Sequence, residues 1–133
     1  MVNFFYLDED PKKCAKYYCN RHILKIPIEI AQILSKIHYA LNSGIDYNKI
    51  YKSSLVVKNT LGPYVWAIKS LDNYLWTCRL GLELLNEYKF RYKKEEHKTE
   101  KILQWGQNIR TIFFSIQIYF ITHYFHTNEN NMR

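Results

Sequence analysis

The stretch NRHILKIPIEIAQIL, residues 20–34, decides the fold class, because an apolar and a polar pattern run through it together. Its apolar residues continue at helical spacing as far as residue 41, which predicts an α-helix over at least 28–41. We expect the buried stripe of that helix to consist of Ile30, Leu34, Ile37 and Leu41.

Pro27 leaves the start of this helix open between two alternatives. The helix can begin near His22 and kink at Pro27, where the ring removes an amide donor. Alternatively, Pro27 lies in the first turn of the helix, where it is well tolerated, and residues 21–26 form a separate turn.

The polar residues of the same stretch follow one another at steps of three, four and three: His22, Lys25, Glu29 and Gln32. They are either a solvated helix face or one wall of a site. In a site, the nearby lysines would keep the Glu29 carboxylate ionised, so that it can stabilise a cationic intermediate or accept a proton. His22 is the group of this line that titrates near neutrality.

Composition supports a helical fold beyond this stretch. The chain has 133 residues, 47% hydrophobic residues and 17% aromatic residues, with only 4 Gly and 3 Pro. Such a chain is long enough for one core and has little capacity for a turn-rich β fold. We predict a mainly α, single compact helical domain with a short N-terminal extended arm, VNFFYL at residues 2–7, and an apolar C-terminal segment.

Local signals predict further helices along the chain. Asp10 before Pro11 is a helix start, and Gly62-Pro63 opens another helix that Ser70 interrupts and caps again. We expect Arg91 to pair with Glu87 one turn earlier, or to bind a phosphate. The charged residues 93–105 lead into a short last helix.

The C-terminal tail differs in character, so we place a boundary between residues 1–105 and 106–133. IRTIFFSIQIYFITHYF, residues 109–125, is at the lower limit of transmembrane length and contains polar side chains. Three interpretations stay open: a buried strand or helix that completes the core, a membrane-associated tail, or an aggregation-prone end. Membrane association is not the favoured one.

The formal charge of +7 favours polyanionic partners, although solubility or an AT-biased genome would also explain it. Basic residues are interleaved with aromatic ones in residues 52–76, as in surfaces where lysine binds phosphate and rings stack on bases. The alternative places these rings in the core. The predicted nucleic-acid-binding residues are Lys25, Lys58, Lys69, Trp66, Tyr74, Trp76, Arg91 and His97.

Other site chemistries lack their motifs. The sequence has no phosphate-binding loop, dinucleotide fingerprint, nucleophile elbow or helical zinc motif, so we predict no metal and no cofactor. The three cysteines, at positions 14, 19 and 78, have no zinc spacing and are odd in number. We therefore expect reduced thiols and an intracellular protein.

The chain resembles a set of small, mostly uncharacterised proteins of phages and large DNA viruses over roughly residues 3–105. The chain departs from their pattern at two places: it has Asn20-Arg21 where the pattern has Asp-Lys, and TLGP where the pattern has Asn-His-Pro. The matching residues are His22, Lys25, Glu29, Gln32, Pro63, Trp66, Ser70, Asn73, Tyr74, Trp76, Glu87, Tyr88, Arg91, Tyr92 and His97.

More distantly, the layout is similar to small helical pyrimidine-dimer DNA glycosylases. This resemblance implies that Glu29 is the catalytic carboxylate and that the amine of Val2, after removal of Met1, forms a Schiff base. It also implies that His22 and Arg91 contact the DNA backbone while aromatic residues hold the flipped base.

The leading hypothesis is a viral protein that acts on nucleic acid, in the host cytoplasm, the nucleus or a viral factory. Most concretely, it is a small DNA glycosylase or AP-lyase-like enzyme acting on DNA, either alone or as a homo-oligomer. The alternative is a non-catalytic basic helical adaptor that binds a host protein or a membrane surface. A third class, a nucleotide-modifying enzyme, would need a smaller closed pocket. The convergence of His22, Glu29 and Arg91 in one cleft would favour an enzyme.

Overall fold

A computed structural model describes residues 6–41, 51, 57–58 and 60–107. These residues contain five α-helices: α1 (Pro11–Lys16), α2 (Asn20–Leu41), α3 (Gly62–Ile68), α4 (Leu71–Tyr92) and α5 (Glu100–Gln107). The mainly α fold is confirmed, and no strand occurs in the ranges just given. Val2 and most of the predicted arm lie outside the described residues, and the arm's described end, residues 6 and 7, has no regular secondary structure.

The helix α4 is central, because α1, α2, α3 and α5 all pack against it. The predicted stripe on α2 lies in the core: Ile30, Leu34 and Ile37 are buried, and Leu41 packs against them partly exposed. On α4, Tyr74, Cys78 and Leu85 recur at helical spacing and are buried. A single hydrophobic core therefore joins the helices.

Two predicted helix starts are confirmed by their caps. The Asp10 side chain accepts a hydrogen bond from the Lys12 amide at 2.9 Å, and Pro11 occupies the first turn. The Ser70 hydroxyl accepts a hydrogen bond from the Asn73 amide at 3.1 Å, so α3 ends and α4 begins where the sequence indicated a break.

Pro27 lies inside α2, which runs without interruption from Asn20 to Leu41. The alternative that made residues 21–26 a separate turn is therefore wrong. Pro27 has no amide to donate to the carbonyl of Ile23. Both side chains are buried, as is Ile26, so packing offsets the missing hydrogen bond.

One polar network crosses the core. His38 on α2 is 2% exposed, and its Nε2 lies 2.7 Å from the hydroxyl of Tyr74 on α4. That hydroxyl donates to the Gly106 carbonyl on α5 at 3.2 Å, and the Trp105 ring lies 5.1 Å from the His38 ring. Burial lowers the pKa of His38 from 6.5 to about 4, so His38 is neutral at physiological pH.

The boundary predicted at residue 105 falls inside α5, which continues to Gln107. Residues 109–125 lie outside the described residues, and the three alternatives for the tail stay predictions. Within the described part of the chain, no helix has the length and apolar character needed to cross a membrane.

Candidate nucleic-acid interface

The polar line on α2 is only partly solvated. Lys25 is exposed, His22 is half-buried with its ring 6.3 Å from that of Tyr18, and Glu29 Oε2 is shielded from solvent. One turn beyond Gln32, the Lys36 amine donates to the Val57 carbonyl and lies 5.0 Å from the Tyr64 ring centre. The interpretation of the whole line as a solvated face therefore does not hold.

His22 and Glu29 lie far apart along this line. Seven residues separate them, which corresponds to about 10 Å along the helix axis. Arg91 lies nearer the His22 end, because it contacts the backbone of Tyr18 and the side chain of Asn20. Glu29 lies two turns further along α2 than His22.

Arg91 binds the connection between α1 and α2. Its guanidinium donates to the carbonyls of Lys16 at 3.0 Å and Tyr18 at 2.7 Å, and to Asn20 Oδ1 at 3.1 Å. It also forms the predicted ion pair with Glu87, at 2.9 Å. Its hydrogen bonds hold the end of α1 against the end of α4, and its predicted contact with DNA stays a prediction.

The predicted aromatic residues divide between surface and core. Trp66 and Trp76 meet edge to face at 5.6 Å, and Tyr6 stacks on Trp76 at 4.6 Å. The Trp76 indole also donates to the Glu9 carbonyl at 2.8 Å. Tyr74 is fully buried, so its predicted role in binding nucleic acid is wrong: a ring in the core cannot stack on a base.

The other predicted binding residues lie apart from one another. Lys58 and Lys69 are exposed, Lys58 before α3 and Lys69 directly after it. His97 Nδ1 accepts a hydrogen bond from the Thr99 amide at 3.1 Å, and its ring meets Tyr88 at 5.2 Å. Partial burial, with Lys98 nearby, lowers the pKa of His97. This contact places His97 at the start of α5.

A basic surface that the sequence pattern did not predict lies where α1 meets the end of α4. We call residues 16–21 and 90–94 the basic–aromatic end. Arg91 joins these two segments, and the Tyr92 hydroxyl donates to the Asn20 carbonyl at 3.2 Å. The cationic residues of this end are Lys16, Arg21, Arg91, Lys93 and Lys94, and the two segments contain no Asp or Glu.

The same end exposes large rings. Phe90 is 81% exposed, Tyr17 is 64% exposed and Tyr92 is 36% exposed. The signal in the sequence was the interleaving of basic and aromatic residues in KYYCNR and FRYKK. The two segments are about 70 residues apart in the chain, so only the packing of α1 on α4 brings them together.

The described residues were also compared with the requirements of a metal site and of a reactive thiol. No cluster of three or more His, Cys, Asp or Glu side chains among these residues is arranged to hold a metal ion. Cys14 and Cys78 are buried and Cys19 is exposed. Burial raises the pKa of the Cys78 thiol to about 12, so this thiol stays protonated.

Comparison of the chain with protein-family models, curated proteins and solved structures finds no match. The resemblance to phage and viral proteins therefore stays a prediction.

Proposed function

We propose that the protein binds nucleic acid through the basic–aromatic end. The observation that carries the proposal is the charge of this end, where two distant segments meet that together hold five cationic residues and no Asp or Glu. The carboxylate of Glu87, outside the two segments, pairs with Arg91 and leaves the other four cations. Surfaces of this kind attract the phosphate backbone and release its counterions, which supplies affinity independent of sequence.

Four of the cations are available to phosphates. The side chains of Lys16, Arg21, Lys93 and Lys94 are exposed, whereas Arg91 is engaged with Glu87 and the α1–α2 connection. Because Arg91 and Tyr92 hold the segments together, the four cations belong to one surface. Glu95 and Glu96 follow directly and are exposed, so the cationic surface ends at residue 94.

The proposal differs in location from the surface predicted by the sequence pattern. Lys69 precedes α4 and Lys93 follows it, and the helix between them has 22 residues, or about 33 Å. Substitutions at the two ends therefore report on different surfaces.

The test compares charge removal at the two surfaces. We expect the double variant Lys93→Gln/Lys94→Gln to weaken binding and to make the slope of log affinity against log salt less steep. The slope should change by about 0.7 for each phosphate of a single strand that the variant no longer neutralises. The measurement is fluorescence anisotropy of labelled oligonucleotides across a salt series.

Two further double variants, each lacking two cations, complete the comparison. Arg79→Gln/Lys101→Gln removes two exposed cations outside both surfaces and serves as the control for net charge. Lys58→Gln/Lys69→Gln probes the surface that the sequence predicted. A larger change of slope in this last variant than in Lys93→Gln/Lys94→Gln would contradict the proposed location.

If the unsubstituted protein showed no salt-sensitive binding to any oligonucleotide, the proposal would fail altogether. The adaptor hypothesis would then be preferred, and capture of a protein partner would be the next experiment.

Base excision needs a separate test, because Val2 lies outside the described residues and Glu29 lies two turns from His22. Borohydride trapping on an abasic duplex, with the N-terminal residue verified by mass, provides it. An adduct that disappears when the N-terminal amine is blocked would add lyase activity to binding.

A further inference from the structure

We infer that the basic–aromatic end binds single-stranded nucleic acid in preference to duplex. The inference rests on the proposed function and adds the class of ligand. It is carried by the two most exposed rings of this end, Phe90 and Tyr17, which are 81% and 64% exposed. A duplex buries its base faces in its own stack, whereas an unpaired strand offers them to aromatic side chains.

Each of the two rings adjoins cations along the chain. Tyr17 directly follows Lys16, whose carbonyl is bound by Arg91. Phe90 lies in the last turn of α4, and Lys93 ends that helix with a left-handed backbone at φ 53°. The Lys94 amide then donates to the Lys89 carbonyl at 3.1 Å. This hydrogen bond keeps the backbone of Lys93 and Lys94 next to the last turn of α4, which carries Phe90. A strand stacked on either ring would have its phosphates within reach of lysine side chains.

The backbone that carries both rings is held in place before any ligand arrives. Arg91 binds the carbonyls on either side of Tyr17, those of Lys16 and Tyr18, and Phe90 directly precedes Arg91 in α4. A phenylalanine or tyrosine ring has only two side-chain torsions to order, so stacking costs little conformational entropy.

Tyr92 has a different role. Residues two apart on a helix do not share a face, so its ring does not extend the surface of Phe90. Its hydroxyl donates to the Asn20 carbonyl, which makes Tyr92 a positioning residue for the α1–α2 connection.

A second group of aromatic rings among the described residues is engaged within the chain. Tyr6, Trp66 and Trp76 contact one another, with ring centres 4.6 to 6.1 Å apart. Phe90 and Tyr17 are therefore the stronger candidates for stacking on a ligand.

The test measures the affinity of the full chain for a labelled oligothymidylate of about 20 nucleotides and for a duplex of equal length. We expect the single strand to bind more tightly at equal salt. Phe90→Ala and Tyr17→Ala should each weaken single-strand binding about fivefold or more, with a change of less than about twofold on duplex. Both side chains are exposed, so neither substitution removes core packing.

Phe90→Tyr is the matched variant, because it keeps an aromatic face and should keep the single-strand affinity. The salt slope of Phe90→Ala should equal that of the unsubstituted protein, since its lysines are retained.

Three results separate this inference from the proposed function. Equal or tighter duplex binding, or an equal loss of affinity for both ligands in Phe90→Ala, would overturn the preference for single strands. Salt-sensitive binding that still depends on Lys93 and Lys94 would then leave the proposed function standing. Absence of binding to both ligands would remove both.

Discussion

Gly81 is a residue at which the absence of a side chain sets the distance between helices. A Cβ atom built there would lie 2.8 Å from Leu103 Cδ1 on α5 and 3.1 Å from Ile30 Cγ2 on α2. Both neighbours are themselves fully buried, so they have little room to move. Gly81 therefore allows three helices to meet inside the core.

We predict that Gly81→Ala destabilises the fold. Overpacking of a close-packed core costs typically about 2 kcal/mol, which exceeds the gain of about 1 kcal/mol from replacing glycine by alanine in a helix. The expected net loss of stability, about 1 kcal/mol, is measurable by urea unfolding.

Gly62→Ala is the control, because a Cβ atom there has nothing within 4 Å. This variant should be neutral or slightly more stable. A Gly81→Ala protein as stable as Gly62→Ala would contradict the close approach.

At the scale of single residues, the sequence predicted those features that depend on near neighbours. The caps at Asp10 and Ser70 are of this kind, and so is the ion pair of Arg91 with Glu87. It did not predict which rings are buried. Tyr74 and Trp76 share the same pattern of basic neighbours, but Tyr74 is covered by contacts with His38 on α2 and Gly106 on α5, which are distant in sequence.

Arg91 is the main tie between elements at the basic–aromatic end. The helix α1 has only six residues and could not persist alone in water. The Arg91 guanidinium binds the carbonyls of Lys16 and Tyr18, which lie at and just beyond its C-terminal end. A residue of α4 therefore completes the hydrogen bonding of α1.

We predict that Arg91→Lys destabilises the protein by about 2 kcal/mol, although it preserves the charge. Lysine lacks the planar fork that reaches Glu87, two carbonyls and Asn20 at once, and hydrogen bonds to charged groups contribute about 1.5 to 3 kcal/mol. Urea unfolding measures the difference.

The matched change is Arg79→Lys, because Arg79 is exposed on the same helix. Its effect should stay within about 0.5 kcal/mol. Equal stabilities for the two variants would show that the hydrogen bonds and ion pair of Arg91 contribute nothing.

At the scale of elements, helical periodicity predicted α2 and α4 but not the course of α2 through Pro27. The residues around Pro27 fit both alternatives, a helix that passes through the proline and a helix that begins at it. The burial of Ile23 and Ile26 ahead of Pro27 distinguishes them, and that burial depends on the other helices.

The whole molecule is crossed by the network of His38, Tyr74 and Gly106, which joins α2, α4 and α5. Its histidine has a folded-state pKa of about 4, below the ordinary 6.5, because burial penalises the charged ring. The unfolded chain therefore binds this proton more tightly than the folded one, and stability falls as pH drops from about 6.5 towards 4.

We predict that His38 accounts for a decrease in stability of about 2 to 3 kcal/mol between pH 7 and about pH 4.5. His38→Gln should be less stable than the unsubstituted protein at pH 7, where it disturbs the bond to Tyr74. The difference between the two proteins should shrink or reverse at the lower pH, because glutamine does not titrate.

The carboxylates and the other histidines titrate in both proteins, so the comparison isolates His38. Parallel pH profiles from urea unfolding would contradict the prediction.

At this scale the sequence predicted the fold class and the basic character but not the position of the candidate interface. The charge of +7 applies to the whole chain, whereas its concentration near Arg91 requires two segments about 70 residues apart to meet. Contacts at such separation follow from helix packing, which periodicity does not specify.

The placement of the indole rings gives the chain two built-in optical probes. Of its three tryptophans, Trp66 and Trp76 lie beside the N-terminal arm through Tyr6, whereas Trp105 lies against His38. Emission from the first pair would follow detachment of the arm, and emission from Trp105 would follow protonation of the buried imidazole. Trp105→Phe would leave only the first pair, and the double replacement of Trp66 and Trp76 by phenylalanine would leave only Trp105. The two events could then be monitored separately, without any attached dye.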